Sequence, residues 1–69
     1  MTLDDLIKSK GMKPADVARR ARLSERTIYN ARQGGMPNAS TLFLVATVLQ
    51  VEESEVRSAI EQSKEGSEK

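Results

Sequence analysis

The chain has 69 residues, with no cysteine, no histidine and a net charge of only +1. Such a length allows one small domain, and the missing residue types exclude disulfides, thiol chemistry and the commonest metal ligands. With Tyr29 and Phe43 as the sole aromatic residues, a core has to come from Leu, Val, Ile, Ala and Met, which favours a compact all-α bundle over a sheet.

Thr2 followed three residues later by Asp5 resembles a capping box, with Asp in place of the usual Glu or Gln. Leu3, Leu6 and Ile7 then share one face, so a first helix is predicted to about Lys10, ended by Gly11, with Met12 turning inward. Pro14 suits the first turn of a second helix, where its missing N–H costs nothing. Val17, Ala18 and Ala21 give that helix a buried stripe and carry it to Ala21. Ser24 is a good N-cap for a third helix, Glu25 favours its positive end, and Ile28 and Ala31 face inward. Gly34 is a natural residue just past its end, and Gly35, Met36 and Pro37 continue as a loop.

Asn38 caps a fourth helix in which Leu42, Val45, Ala46 and Leu49 follow the spacing of a buried face. This is the most apolar segment and is expected to be the central one. A fifth helix is predicted from Glu52 to about Gln62, with Val56, Ala59 and Ile60 on one side. The polar remainder, SKEGSEK, contains a helix-weakening glycine. The domain is therefore expected to occupy residues 1–62, with residues 63–69 frayed or disordered. No apolar run approaches the ~18 residues of a membrane span. The MTLDDLIK start lacks a signal-peptide layout, so a cytoplasmic protein is expected.

Charge is unevenly distributed along this framework. Residues 13–34 carry six bases against two acids, residues 1–12 balance, and residues 35–69 carry three bases against six acids. A basic middle is the footprint of a polyanion-binding face, or simply of a solvated helical surface. The arrangement of the second and third helices favours the former. Two helices that cross steeply need small residues where they touch, and Ala18, Ala21 and Ala31 supply them, while Leu23 and Ile28 lock the pair to the core. At 100° per residue the third helix then exposes Arg26, Tyr29, Asn30 and Gln33 along one arc. Arg and Asn each make two hydrogen bonds to guanine and adenine edges, and a helix of this length fits the major groove of double-stranded DNA.

The chain resembles the Cro/cI-type helix-turn-helix family, the lambda-repressor-like domains also grouped as XRE-type regulators. The resemblance covers roughly residues 3–60 and rests on Val17-Ala18, Ala21, Leu23-Ser24, Thr27-Ile28, Gly34, Pro37, Leu42, Val45-Ala46 and Leu49-Gln50-Val51. It implies a five-helix DNA-binding domain, commonly a homodimer on a palindromic operator, acting as a bacterial or phage transcriptional regulator. Three positions depart from the family pattern. Pro14 stands where a Gln usually opens the second helix, so the phosphate contact made there is lost or passed to Lys13. Arg22 stands where the turn usually has Gly, at a cost of ~1 kcal/mol if its backbone is left-handed. Ile7 and Arg32 replace a common Arg–Glu pair, and Arg32 is expected to turn to Asp4 instead.

On this basis Arg26 and Asn30 are the expected base readers. Glu25 either accepts from a cytosine amino group or only favours the helix dipole, and Thr27 touches a thymine methyl or a phosphate or is merely exposed. Lys13, Arg22, Ser24, Tyr29, Gln33 and Asn38 are candidates for the DNA backbone, with amides at the start of the fourth helix helping. Tyr29 alternatively shields Ile28, and Arg19 and Arg20 touch phosphate or only solubilise. Phe43, Leu44 and Val48 lie off the main stripe of the fourth helix, with Met36 nearby. Met36, Leu44 and Val48 are the expected dimer contacts, unless neighbouring helices cover them. A sequence-specific regulator, most naturally a repressor, is the leading reading. The alternative is an antitoxin or other protein-interaction module of the same fold, its acidic last third facing a basic partner. Nothing supports an enzyme, a cofactor, a metal or a small-molecule ligand: there is no general base among histidines, no phosphate loop and no ligand spacing.

Overall fold

A computed structural model describes the backbone of residues 1–67 and the side chains of residues 1–64. It comprises five helices in sequence: α1 (Leu3–Ser9), α2 (Pro14–Ala21), α3 (Glu25–Arg32), α4 (Ala39–Leu49) and α5 (Glu53–Ser67). α1, α3 and α4 each start where a side-chain oxygen satisfies a first-turn amide. The Thr2 hydroxyl accepts from the Asp5 N–H while the Asp5 carboxylate accepts from the Thr2 N–H, both at 3.2 Å. Ser24 accepts from the Thr27 N–H at 3.2 Å, and Asn38 from the Thr41 N–H at 2.9 Å. At α2, Pro14 opens the helix and the Asp16 carboxylate accepts from the Lys13 N–H at 3.2 Å. That bond, with the Arg19 hydrogen bond, holds the Asp16 carboxyl below the usual carboxylate range. The Lys13 ammonium has no lone pair, so this cap works in one direction only.

The first four helices also stop in the same way. At each end one residue adopts positive φ: Gly11 at 71°, Arg22 at 60°, Gly34 at 96° and Gln50 at 59°. The next amide reaches back five residues, as in Leu23 N–H to Ala18 O at 2.8 Å and Gly35 N–H to Asn30 O at 2.9 Å. This is the Schellman arrangement, which consumes carbonyls that the helix leaves unpaired. Two of the four ends use glycine. Arg22 and Gln50 do not, and Gln50 is the one the sequence did not flag.

All five helices contribute to one core. Leu3 and Ile7 of α1, Val17 of α2, Ile28 of α3, Leu42 and Leu49 of α4, and Val56 and Ile60 of α5 are fully buried. Each such side chain contributes about 1.5–3 kcal/mol relative to exposure, which is what stabilises helices too short to persist alone. α2 lies between α3 and α4, and α5 packs across α1, α4 and α3. Met12, Leu23, Val48 and Val51 close the edges of the core. Val48, expected at a dimer contact, is therefore half-buried against its own chain, because α4 turns that side toward the core.

The end of α5 differs from the expectation. The helix continues past Gln62 to Ser67; Glu68 and Lys69, also in the segment expected to be frayed, lie outside the described residues. Three tertiary contacts hold this end of the helix. The buried Ser63 hydroxyl accepts from the Leu3 N–H at 2.8 Å and donates to the Ala59 carbonyl at 2.9 Å. The Gly34 backbone lies so close to α5 that a Cβ there would come within 2.4 Å of the Lys64 Cα. The N-terminal amine also bonds the Gln62 side-chain oxygen. Helical propensity alone misses these contacts because they lie far apart in sequence.

The Ser63 bond makes a sharp prediction. Ser63→Ala leaves the Leu3 N–H buried without an acceptor and is expected to cost about 1–3 kcal/mol. That corresponds to a fall in Tm of roughly 4–8 °C per kcal/mol, read by thermal unfolding of the full chain. A frayed end would give no change.

Candidate nucleic-acid interface

α2 and α3 are joined by three residues, Arg22, Leu23 and Ser24. The left-handed Arg22 turns the chain, Leu23 drops onto the core, and Ser24 starts the next helix. Ala18 and Ala21 of α2 and Ala31 of α3 are buried between the elements they join. Their small side chains let the two backbones approach. Ile28 is 2% exposed and anchors α3 from within.

The opposite edge of α3 is open. Glu25, Arg26, Tyr29, Asn30 and Gln33 are all exposed, Tyr29 at 56%. Arg26 and Asn30 lie one turn apart on this edge, as expected from their spacing. Thr27 is half-buried, and its hydroxyl is 2.9 Å from that of Ser24. Both hydroxyls thus belong to the helix cap. Gln33 closes the helix, its N–H donating to the carbonyls of Tyr29 and Asn30 at 3.1 Å each. An open cleft of about 500 Å³ runs along α3, lined by Pro14, Ala15, Glu25, Arg26, Tyr29 and Asn30 among others. Ala15 was not singled out from sequence, because a small apolar side chain carries no chemical signal; it forms the wall of α2 that faces Arg26 and Tyr29 across this cleft.

The basic residues divide into two groups. Arg19 is held by Asp16 at 2.7 Å, and Arg32 by Asp4. Lys13, Arg20, Arg22 and Arg26 are exposed and carry no ion pair among the described residues. Lys13 flanks the start of α2 and Arg22 its end, so they bracket the cleft-bearing side chains from both ends of that helix. Asn38 is exposed, but its side-chain oxygen is committed to capping α4.

The expected substitute pair is present. Arg32 grips Asp4 through two parallel bonds, Nε to Oδ1 at 2.5 Å and NH2 to Oδ2 at 3.2 Å. The Asp4 carboxylate raises the Arg32 pKa above its ordinary value, so the guanidinium stays charged. A forked contact of this kind fixes orientation as well as distance, and here it ties the last turn of α3 to α1.

A three-residue turn, an aliphatic inner edge and a basic, amide-bearing outer edge define a helix-turn-helix domain. A family model described as helix-turn-helix matches residues 3–56, most of the chain. The chain belongs to this family, the Cro/C1-type, XRE-like group of DNA-binding regulators, which is typically non-enzymatic. Comparison with curated proteins and with solved structures gave no match. No helix among the described residues is long and apolar enough to cross a membrane.

Two substitutions test this geometry without DNA. Asp4→Ala frees Arg32 and is expected to cost about 0.5–1 kcal/mol, since both groups are partly exposed. The loss should appear in thermal unfolding at low salt and shrink as salt is added. Arg22→Gly removes the penalty of a left-handed backbone on a non-glycine residue and should stabilise the fold by about 0.5–1 kcal/mol. A lowered Tm for Arg22→Gly contradicts the strain argument.

Proposed function

We propose that this chain is a sequence-specific transcriptional regulator that acts as a repressor by laying α3 in the major groove of double-stranded DNA. The supporting observation is the division of α3 between Ile28 and Ala31, each 2% exposed, and the open Arg26 and Asn30. Arg26 reads a guanine and Asn30 an adenine, each through two hydrogen bonds. Glu25, in the first turn, accepts from a neighbouring cytosine amino group. Thr27 contributes its methyl group to a thymine, its hydroxyl being engaged with Ser24.

Phosphate contacts set the register. Lys13 and Arg22 grip the backbone beside α2. Tyr29 and Gln33 lie along the sugar-phosphate chain beside α3, and first-turn amides next to Ser24 and Asn38 add donors. Repression then needs nothing beyond occupancy of a site that polymerase also needs. The domain works as a homodimer through Met36 and Leu44, both exposed, with Val48 at the edge of the contact. Two-fold pairing sets two copies of α3 ~34 Å apart, one turn of the duplex.

Selection of bound fragments from random DNA supplies the site for the test. Arg26→Ala and Asn30→Ala should each cost about 1–3 kcal/mol on that site and relax preference at one base pair. Lys13→Ala and Arg22→Gly should weaken all sequences alike and lower the salt slope by about one. Wild-type binding and preference in both Arg26→Ala and Asn30→Ala would overturn the reading.

A further inference from the structure

A second open surface lies where α4 ends and α5 begins. It is a groove of about 350 Å³, with Phe43, Ala46 and Val51 as its apolar floor and Gln50, Glu52 and Glu53 on its rim. It shares no residue with the cleft beside α3. Phe43 is 62% exposed, the most open of the large apolar side chains apart from Met1. A phenyl ring left mostly open on a helix is a ready anchor for a partner side chain. On α4 it shares a side with Thr47, whereas Leu44 and Val48 make a separate strip about 100° further round. The groove is therefore distinct from the strip assigned to pairing.

We propose that this groove docks a basic, aliphatic-anchored segment of a partner protein. Charge selects the occupant. Glu52 and Glu53 carry no ion pair among the described residues, and Glu55 beside them spends an oxygen on the Glu52 N–H at 3.3 Å. Arg57, one turn beyond Glu53, is the nearest base on α5 and is not paired with it. DNA is repelled by such a rim. Two-fold pairing of this chain through the groove would bring Glu52 and Glu53 of both copies together. The chain's own basic surface lies on α2 and α3, where the proposed function uses it. A segment carrying Leu, Ile or Met between Lys or Arg residues meets both the floor and the rim. The choice of a partner over the chain's own basic surface rests on the DNA reading, whereas binding of a basic peptide to the groove is read independently of it.

The test uses the full chain, isotopically labelled for NMR. The probe is a synthetic amphipathic helical peptide with leucines on one face and lysines on the other. Amide shifts should move at Phe43, Thr47, Gln50, Val51, Glu52 and Glu53, and binding should weaken with salt. The counterparts with serine for leucine or glutamate for lysine should bind at least about tenfold more weakly. Phe43→Ser and the double variant Glu52→Gln, Glu53→Gln should each lose affinity by a similar factor while keeping wild-type helicity and DNA binding. No shifts, shifts centred on α3, or equal binding of the glutamate peptide would overturn the proposal. So would conversion of a dimer to a monomer by Phe43→Ser, which would make the groove a self-interface.

Discussion

An eight-residue helix does not hold together in water by its own hydrogen bonds. α3 is eight residues long, so everything it presents to a partner depends on what secures it from behind. Ile28 and Ala31 are inserted into a core to which all five helices contribute, and Ser24 caps the first turn. Gly34 passes flush against α5, and Arg32 reaches across to Asp4 on α1. Inner edge, both ends and one flank are thus fixed to different elements. What remains open is the edge carrying Arg26, Tyr29 and Asn30, and it is open on a rigid element rather than a loop. Rigidity matters because base-edge hydrogen bonds tolerate little misplacement, and a side chain on a fixed helix loses less entropy on docking.

The repeated helix ending shows how the bundle keeps such short pieces together. Four successive helices stop at a residue with positive φ, and the amide after it reaches back to a carbonyl five residues earlier. The motif redirects the chain sharply while leaving few orphan groups, which suits a domain too small to spend surface on long connections. Glycine adopts this conformation freely at Gly11 and Gly34. Arg22 and Gln50 adopt it under constraint, each followed by a residue, Leu23 or Val51, that packs on the core. At Arg22 the strain puts a guanidinium at the corner between the two helices that face the duplex in the proposed docking. At Gln50 it borders the acidic groove.

Much of this was legible in the residues, where the relevant chemistry is local. Thr2, Ser24 and Asn38 start helices through bonds three residues long, Pro14 opens α2 with a backbone already set for a first turn, and the stripes at Val17-Ala18-Ala21 and Leu42-Val45-Ala46-Leu49 declare their buried faces by spacing. The Arg32–Asp4 pair was also foreseeable, since a base at one position and an acid one turn from the other satisfy the same geometric need. What escaped was non-local. SKEGSEK has the composition of a frayed end, yet Ser63 is buried by a bond to Leu3, sixty residues away. Thr27 looks available for DNA, yet its hydroxyl is taken by Ser24. In each case propensity and pattern describe a residue's own helix but not the neighbour that claims it.

Recognition through the major groove is the proposal, supported by the family membership and the open edge of α3, that is most worth testing directly. Dimethyl sulfate methylates guanine N7 in the major groove and adenine N3 in the minor groove, so a footprint on the selected site separates the two modes. Major-groove docking of α3 predicts protection of guanine N7 at one position per half-site, lost when Arg26 is replaced by alanine, with adenine N3 remaining reactive. Protection of adenine N3 alone, or guanine protection unchanged by Arg26→Ala, would contradict it.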